Sequence, residues 1–203
     1  MHKIKHFLQQ SWLLITASFI FGLLIAVTNG ALAPLIEQNN IEKLNKLMKS
    51  LITDANSFKN LKIADKKGNL IETNIYQGLN VEENTVGFAF MADGAGFADK
   101  IKLVIAVDAN CEKFLGFKVM ASNETPGFGS KIKEAFFSNQ FINTPAEKIE
   151  LVKTGDPAEK DNKIVAITGA TVSSEAVVKI FNNSIGKVKQ RLQVEKLINH
   201  ERQ

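Results

Sequence analysis

The hydrophobic positions change their spacing along the chain. From Phe7 to Ile36 no side chain carries a full charge. Within that stretch, Ser11–Ala33 is long enough to cross a bilayer as one helix. Trp12 sits at one end, where an amphipathic ring favours the interface. Residues 35–52 place Ile41, Leu44, Leu47, Met48 and Leu51 at helical spacing, which predicts an amphipathic linker helix. Strand character then follows at 57–64, 69–76, 86–92, 101–108 and 114–121. Ile101, Leu103, Ile105 and Val107 alternate as a half-buried strand requires, and Leu115, Phe117 and Val119 repeat the pattern. Asp108-Ala109-Asn110 between them predicts a hairpin turn. Residues 130–138 read as a short helix, and 147–153 and 163–168 as further strands. A long helix over 173–197 carries Val177, Ile180, Phe181, Ile185, Val188 and Leu192 on one stripe. Strands in a run with few helices around them predict an α+β fold with a mostly antiparallel sheet, not a doubly wound one. The expected divisions are a tail and transmembrane helix over 1–34, a linker helix over 35–55, and one domain over 56–203.

Composition narrows the chemistry. The 203 residues carry a formal charge of +4 and 23% charged side chains, so nothing indicates disorder. The lysines are scattered and no Arg/aromatic platform accompanies them, which argues against nucleic acid. The single cysteine, Cys111, forms no internal disulfide and holds no cluster or structural zinc alone. His2, His6 and His200 lie near the termini, which excludes a His-based triad or multi-His metal site inside the domain. Redox chemistry here would have to come from an organic cofactor.

The apolar N-terminal stretch has two readings. Ala31-Leu32-Ala33 resembles a signal-peptide cleavage site, but Pro34 is a poor first mature residue and the apolar run exceeds a usual signal core. An uncleaved anchor is the expectation. Lysines lie on both sides of the span, so charge does not set its orientation; export of the domain behind a short inside tail is the common arrangement. Gly22, Ala26 and Gly30 recur at intervals of four, which either permits close helix packing or simply faces lipid.

Two segments carry candidate chemistry. In AITGATVSSEAV (166–177) a β-rich run meets Thr168-Gly169-Ala170-Thr171 and a helix follows. Small residues let the backbone approach a ligand, and a helix N-terminus favours an anion. The hydroxyls of Thr168, Thr171, Ser173 and Ser174 also read as helix N-caps, and spacing alone favours that reading. In SNETPGFGSKI (122–132), Pro126 fixes one backbone angle while Gly127 and Gly129 open others. Phe128 between them can lie against a flat ligand, and Glu124 and Thr125 supply an acceptor and a hydroxyl. A surface turn is the plainer alternative.

Taken together, ETPGFG and a downstream TGAT before a long C-terminal helix resemble the FMN-binding domain of the G subunit of Rnf electron-transport complexes. The C subunit of sodium-pumping NADH:quinone reductase shares that domain. The N-terminal span, Gly94-Ala95-Gly96-Phe97 and the Phe-x-x-Gln-Phe run Phe137–Phe141 extend the resemblance over nearly the whole chain. It implies FMN joined through a phosphoester to Thr171 by a separate flavin transferase that uses FAD and a divalent metal. It implies an attachment loop shaped by Thr168, Gly169 and Ala170, and a second loop beside the flavin carrying Glu124, Thr125, Gly127 and Gly129. Further implied are an electron relay with no catalytic acid or base and no metal of its own, and other membrane subunits as partners. The resemblance places the chain in a bacterial inner membrane, with the domain on the extracytoplasmic side. The chain's compactness favours the ferredoxin:NAD+ oxidoreductase type over the quinone-reductase type. Two positions depart from the family pattern: Val165 stands where an Asp is usual, with Asp161 the nearest upstream acid, and Phe128 stands where Leu is usual.

Readings of other classes remain. A membrane-tethered binding or sensory module would leave Thr171 as an unmodified cap. A soluble hydrolase would have to pair Asp93, Asp99 and Glu124 without any Ser-His or Cys-His pair inside the domain.

Overall fold

The computed structural model describes residues 2–64 and 70–198. His200, and the side chains of His2, Lys3, Lys5 and His6, lie outside what is described, as does the expected strand start at residue 69. The chain divides into two compact units at Lys43/Leu44.

The span and the linker expected as separate segments fall in one helix, α1, His2–Leu51, with Pro34 inside it. From Ser11 the helix is long and apolar enough to cross a membrane. Over Trp12–Ile36 its large side chains, among them Trp12, Phe19, Phe21 and Ile25, are exposed all round, a pattern that is costly in water and suits lipid.

In the second unit five strands form one antiparallel sheet in chain order: β1 Ser57–Ala64, β2 Leu70–Leu79, β3 Thr85–Ala95, β4 Lys100–Asp108 and β5 Phe114–Ala121. β4 to β5 is the hairpin expected from Asp108. Its carboxylate accepts the backbone N–H groups of Glu112 and Lys113, and Cys111 takes a left-handed φ of 58° to close the turn. Two 3-10 turns (Gly129–Lys133 and Asn139–Phe141) bracket the four-residue helix α2, Ala135–Ser138. They replace the single short helix expected there. β6 Glu150–Val152 and β7 Lys163–Val165 pair in parallel as a separate small sheet, and α3 Thr171–Val194 closes the fold.

β4 corrects one expectation. It is buried on both faces, not one. Ile101, Leu103, Ile105 and Val107 pack toward α3, whereas Val104 and Ala106 meet Leu44, Met48 and Ile52 of the segment that ends α1. Those three residues recur one helical turn apart and form the stripe that covers the second face. Ala89 and Ala106 are register partners in that layer, and their small side chains leave room for the helix.

On the α3 side, five phenylalanines tie the layers together. Phe114 and Phe117 of β5, Phe137 and Phe141, and Phe181 of α3 stack with ring centroids 4.6–6.4 Å apart, mostly edge to face. Each such pair adds about 0.5–1.5 kcal/mol beyond burial. This cluster fixes the 129–141 segment against α3, so the loop before that segment and the loop before α3 emerge side by side.

Candidate functional site

Three segments separated in sequence converge at the N-terminus of α3. They are the turn after β3 (Gly94–Asp99), the loop 122–130, and Thr168–Thr171. Their junction is Glu124, which is only 5% exposed. Its Oε1 accepts the N–H groups of Phe97 and Ala98 at 2.9 and 3.0 Å, and its Oε2 accepts the Ser173 hydroxyl of α3. A buried carboxylate is tolerated only when such donors surround it. Gly96 and Gly129 crowd the same carboxylate: a Cβ on Gly129 would lie 2.6 Å from Oε2, and one on Gly96 would collide with Oε1. Both glycines therefore make room for Glu124.

The neighbouring turn is braced by Asp99. It accepts the Lys100 N–H at 2.7 Å and the Asn123 side-chain amide at 2.8 Å. The backbone bond first, and then the amide, hold the exposed Asp99 carboxyl below the usual carboxylate range.

The Thr168–Thr171 loop is closed by its own hydrogen bonds. Ala170 N–H donates to Ile167 C=O at 2.9 Å, while Ser174 Oγ accepts the Ile167 N–H and donates to Ala170 C=O, both at 3.0 Å. Gly169 takes φ 81°, a left-handed conformation that glycine adopts without strain. The hydroxyls therefore divide. Ser173 and Ser174 are buried and engaged, whereas Thr168 and Thr171 are exposed. No side chain caps the start of α3, so the N-cap reading of these hydroxyls does not hold. The helix begins at Thr171, two residues earlier than the periodicity predicts.

An open cavity of about 380 Å³ lies over this junction, lined by Phe97, Thr125, Phe128, Gly129 and the stretch Gly169–Ser173. Phe97 and Phe128 are 67% and 58% exposed, and Val172 adds a third apolar surface. A Cβ on Gly169 would lie 3.6 Å from the Phe128 ring, so that ring rests over the Thr168–Thr171 loop. Size and lining suit a flat aromatic molecule, and the uncapped N–H groups of α3 suit an attached phosphate. Among the described residues no group of three or more His, Cys, Asp or Glu side chains could hold a metal ion.

Of the eight residues expected at the site, Thr125, Gly129, Gly169, Ala170 and Thr171 line the cavity. Glu124 lies behind it as the junction, and Gly127 and Thr168 are outside the lining. Gly127, at φ 76°, shapes its loop and donates its N–H to Ser130 Oγ. Phe97 and Val172 were not among the eight. The signal for Phe97 was present in Gly-Ala-Gly-Phe, but an exposed aromatic at the end of a strand reads as a site residue only once its neighbours are known.

Residues 96–186 match the model of the FMN-binding domain. Over that segment the chain is similar to this FMN-binding family. Its relatives include the G subunit of the proton-translocating ferredoxin:NAD(+) oxidoreductase complex of Clostridium ljungdahlii, 29% identical over 84% of this chain and 85% of that one. A second is the G subunit of the ion-translocating oxidoreductase complex of Methanosarcina acetivorans, 27% identical over 86% and 90%. In fold, the chain is similar to the solved C subunit of the Na(+)-translocating NADH-quinone reductase of Parabacteroides distasonis. That likeness has a TM-score of 0.56 and 21% identity, and covers 75% of this chain and 94% of that one. The family match supports FMN binding by this domain, and the cavity beside α3 fits such a molecule.

Proposed function

We propose that this chain is a membrane-anchored electron-transfer component of an Rnf-type, ion-translocating ferredoxin:NAD+ oxidoreductase complex, with FMN esterified to Thr171. The observation that carries this reading is the exposed Thr171 hydroxyl at the first residue of α3, on the wall of an apolar cavity beside Phe97 and Phe128. FMN, when bound, supplies electron transfer singly or in pairs. Each surrounding residue then has a stated task. Thr171 Oγ1 carries the phosphoester, and the first N–H groups of α3 with its dipole offset the phosphate charge. Thr168, Gly169 and Ala170 shape the attachment loop. Thr125 and Gly129 form the opposite wall, and Gly127 sets the conformation of that loop. Glu124 fixes the two loops and the Gly94–Asp99 turn as one frame. Phe97 and Phe128 offer apolar surface to the ring system. A covalent link at the phosphate leaves the ring system free and keeps the cofactor on a domain facing an extracytoplasmic space.

The relatives named as G subunits of ferredoxin:NAD(+) and other ion-translocating oxidoreductases support a redox-complex role with other membrane subunits as partners. The long apolar helix is consistent with an anchor in a bacterial inner membrane. In this reading residues 1–34 are the tail and span, 35–55 the linker and 56–203 the flavin domain. A flavin transferase drawing on FAD acts on the chain during maturation.

Peptide mass spectrometry tests the reading on full-length chain from cells that contain such a transferase. The peptide holding Thr171 should carry the mass of an FMN group, and a denaturing gel should show a band fluorescent under ultraviolet light. Thr171→Val should remove both. An unmodified Thr171 in wild-type chain from those cells would overturn the assignment.

A further inference from the structure

Gln140 lies in the 3-10 turn Asn139–Phe141, outside both loops, and does not line the Thr171 cavity. It is only 5% exposed, and its amide is committed to the backbone of one distant residue. Gln140 Oε1 accepts the Val165 N–H at 2.8 Å, and Nε2 donates to the Val165 C=O at 3.2 Å. Nε2 also lies 3.4 Å from the Phe136 C=O. Val165 ends β7, a three-residue strand whose neighbour β6 covers one edge only. On the other edge the Gln140 amide does what a third strand would do, satisfying donor and acceptor of one residue together. Gln140 is itself held. Its C=O accepts the Thr144 hydroxyl, and Phe137 and Phe141 on either side belong to the phenylalanine cluster.

The position of this clamp matters. From Val165 the chain runs directly through Ala166 and Ile167 into Thr168–Thr171. Downstream, Ser174 closes that loop from within α3. Upstream, Ala166 N–H bonds to Val152 C=O, and Val165 is held by Gln140. The small sheet has a matching clamp at its far edge: Asn182 of α3 gives the same paired amide bonds to the N–H and C=O of Ile149, both at 2.8 Å. Two side-chain amides thus border the small sheet, and only Gln140 borders the strand that leads into the loop.

We infer that Gln140 is a positioning residue for the modification of Thr171: it holds the strand that leads into the loop and thereby sets where the Thr171 hydroxyl is presented. This rests on the reading of Thr171 as the flavin attachment site. In that step Thr171 Oγ1 forms a bond to the FMN-side phosphorus of FAD while the bond between the two phosphates breaks. AMP leaves, the hydroxyl proton passes to base or water, and nothing is oxidised or reduced. Such a displacement depends on placing one oxygen in line with one phosphorus, so an error of about 1 Å in the loop is felt in the rate even when the fold persists.

The test is the time course of flavin incorporation into full-length chain after the transferase is induced, read as FMN mass per chain. Gln140→Leu removes both Val165 bonds at similar volume and should slow incorporation at least about tenfold, the scale of a misplaced reacting group. Its amide hydrogen exchange should rise at 165–170 and stay unchanged in β3 and β4. Asn182→Leu, the same loss at the other edge, should incorporate at the wild-type rate. Gln140→Glu keeps the acceptor for Val165 N–H but loses the donor. It should give an intermediate rate and decides the matter if Gln140→Leu does not fold. Wild-type rates in the Gln140 variants, or an equal loss in Asn182→Leu, would overturn the inference. If the wild-type chain itself acquires no FMN, it is the assignment of Thr171 that fails.

Discussion

The two motif loops direct their polar groups oppositely. In the loop 122–130 the charged residue turns inward: Glu124 is buried, met by three donors and boxed by Gly96 and Gly129. In Thr168–Thr171 the hydroxyls turn outward, and the interior bonding of that loop is done by Ser174, which belongs to the helix. A loop that looks equipped to bind a ligand can thus be mainly a frame, while a loop that looks like a helix cap offers its side chain to solvent. The difference separates residues that hold the site from those that, in the proposed reading, perform its chemistry, and substitutions should fall into those two classes.

The largest expected effect is at the outward loop. Thr171→Val should abolish covalent flavin while changing stability by less than about 0.5 kcal/mol, because an exposed hydroxyl contributes little to the fold. Mass spectrometry and a thermal melt on the same preparation check both halves. A variant that loses flavin and also unfolds would erase the distinction between the two loops.

Glu124→Ala should behave in the opposite way. It leaves the N–H groups of Phe97 and Ala98 and the Ser173 hydroxyl without their charged acceptor, and should cost about 3 kcal/mol by urea unfolding. Flavin content should fall only as far as the folded fraction does. Were Glu124→Ala fully stable yet flavin-free, the carboxylate would belong with the chemistry.

The glycines of the inward loop sharpen the contrast. Gly129→Ala places a Cβ 2.6 Å from the Glu124 carboxylate and from Ser173 Oγ, so it should cost about 1–3 kcal/mol through overpacking. Gly127→Ala meets nothing within 4 Å but must hold φ 76°, for a smaller cost of about 1 kcal/mol. Equal melting temperatures for the two variants would mean that Glu124 gives way to the added Cβ, so that room for its carboxylate does not explain Gly129.

These assignments bear on what could be read from residues alone. Among the described residues β4, β5 and α3 were legible because they carry a period of two or 3.6 on at least one face. The second covered face of β4 was not, since Val104 and Ala106 read as polar-side positions until Leu44, Met48 and Ile52 are known to lie over them. Thr171 is singled out in the sequence only by the resemblance that ETPGFG and TGAT carry together, since spacing alone favours a helix cap there. The tasks of Glu124, Gly96 and Gln140 were not legible, because each acts on a residue more than twenty positions away. Local pattern holds no information about such partners. The phenylalanine cluster that brings them together is visible in sequence only as scattered aromatics.

The smallest effect expected lies at the rim of the frame. Asp99 braces the turn that supplies Glu124 with its two backbone donors, yet it is itself exposed. Its carboxyl titrates below the usual range in the folded chain, so the stabilising form is the ionised one. That contribution is complete above the ordinary carboxylate range, where the unfolded chain is ionised too, and is lost as pH falls through the lowered folded value. Wild-type chain should therefore melt slightly above Asp99→Asn at neutral pH, and the gap should close in acid. A gap that widens in acid would reverse the sign and assign the bracing to the neutral carboxyl. A gap independent of pH would leave the turn held by backbone bonds alone, with Glu124 accepting donors that are already in place.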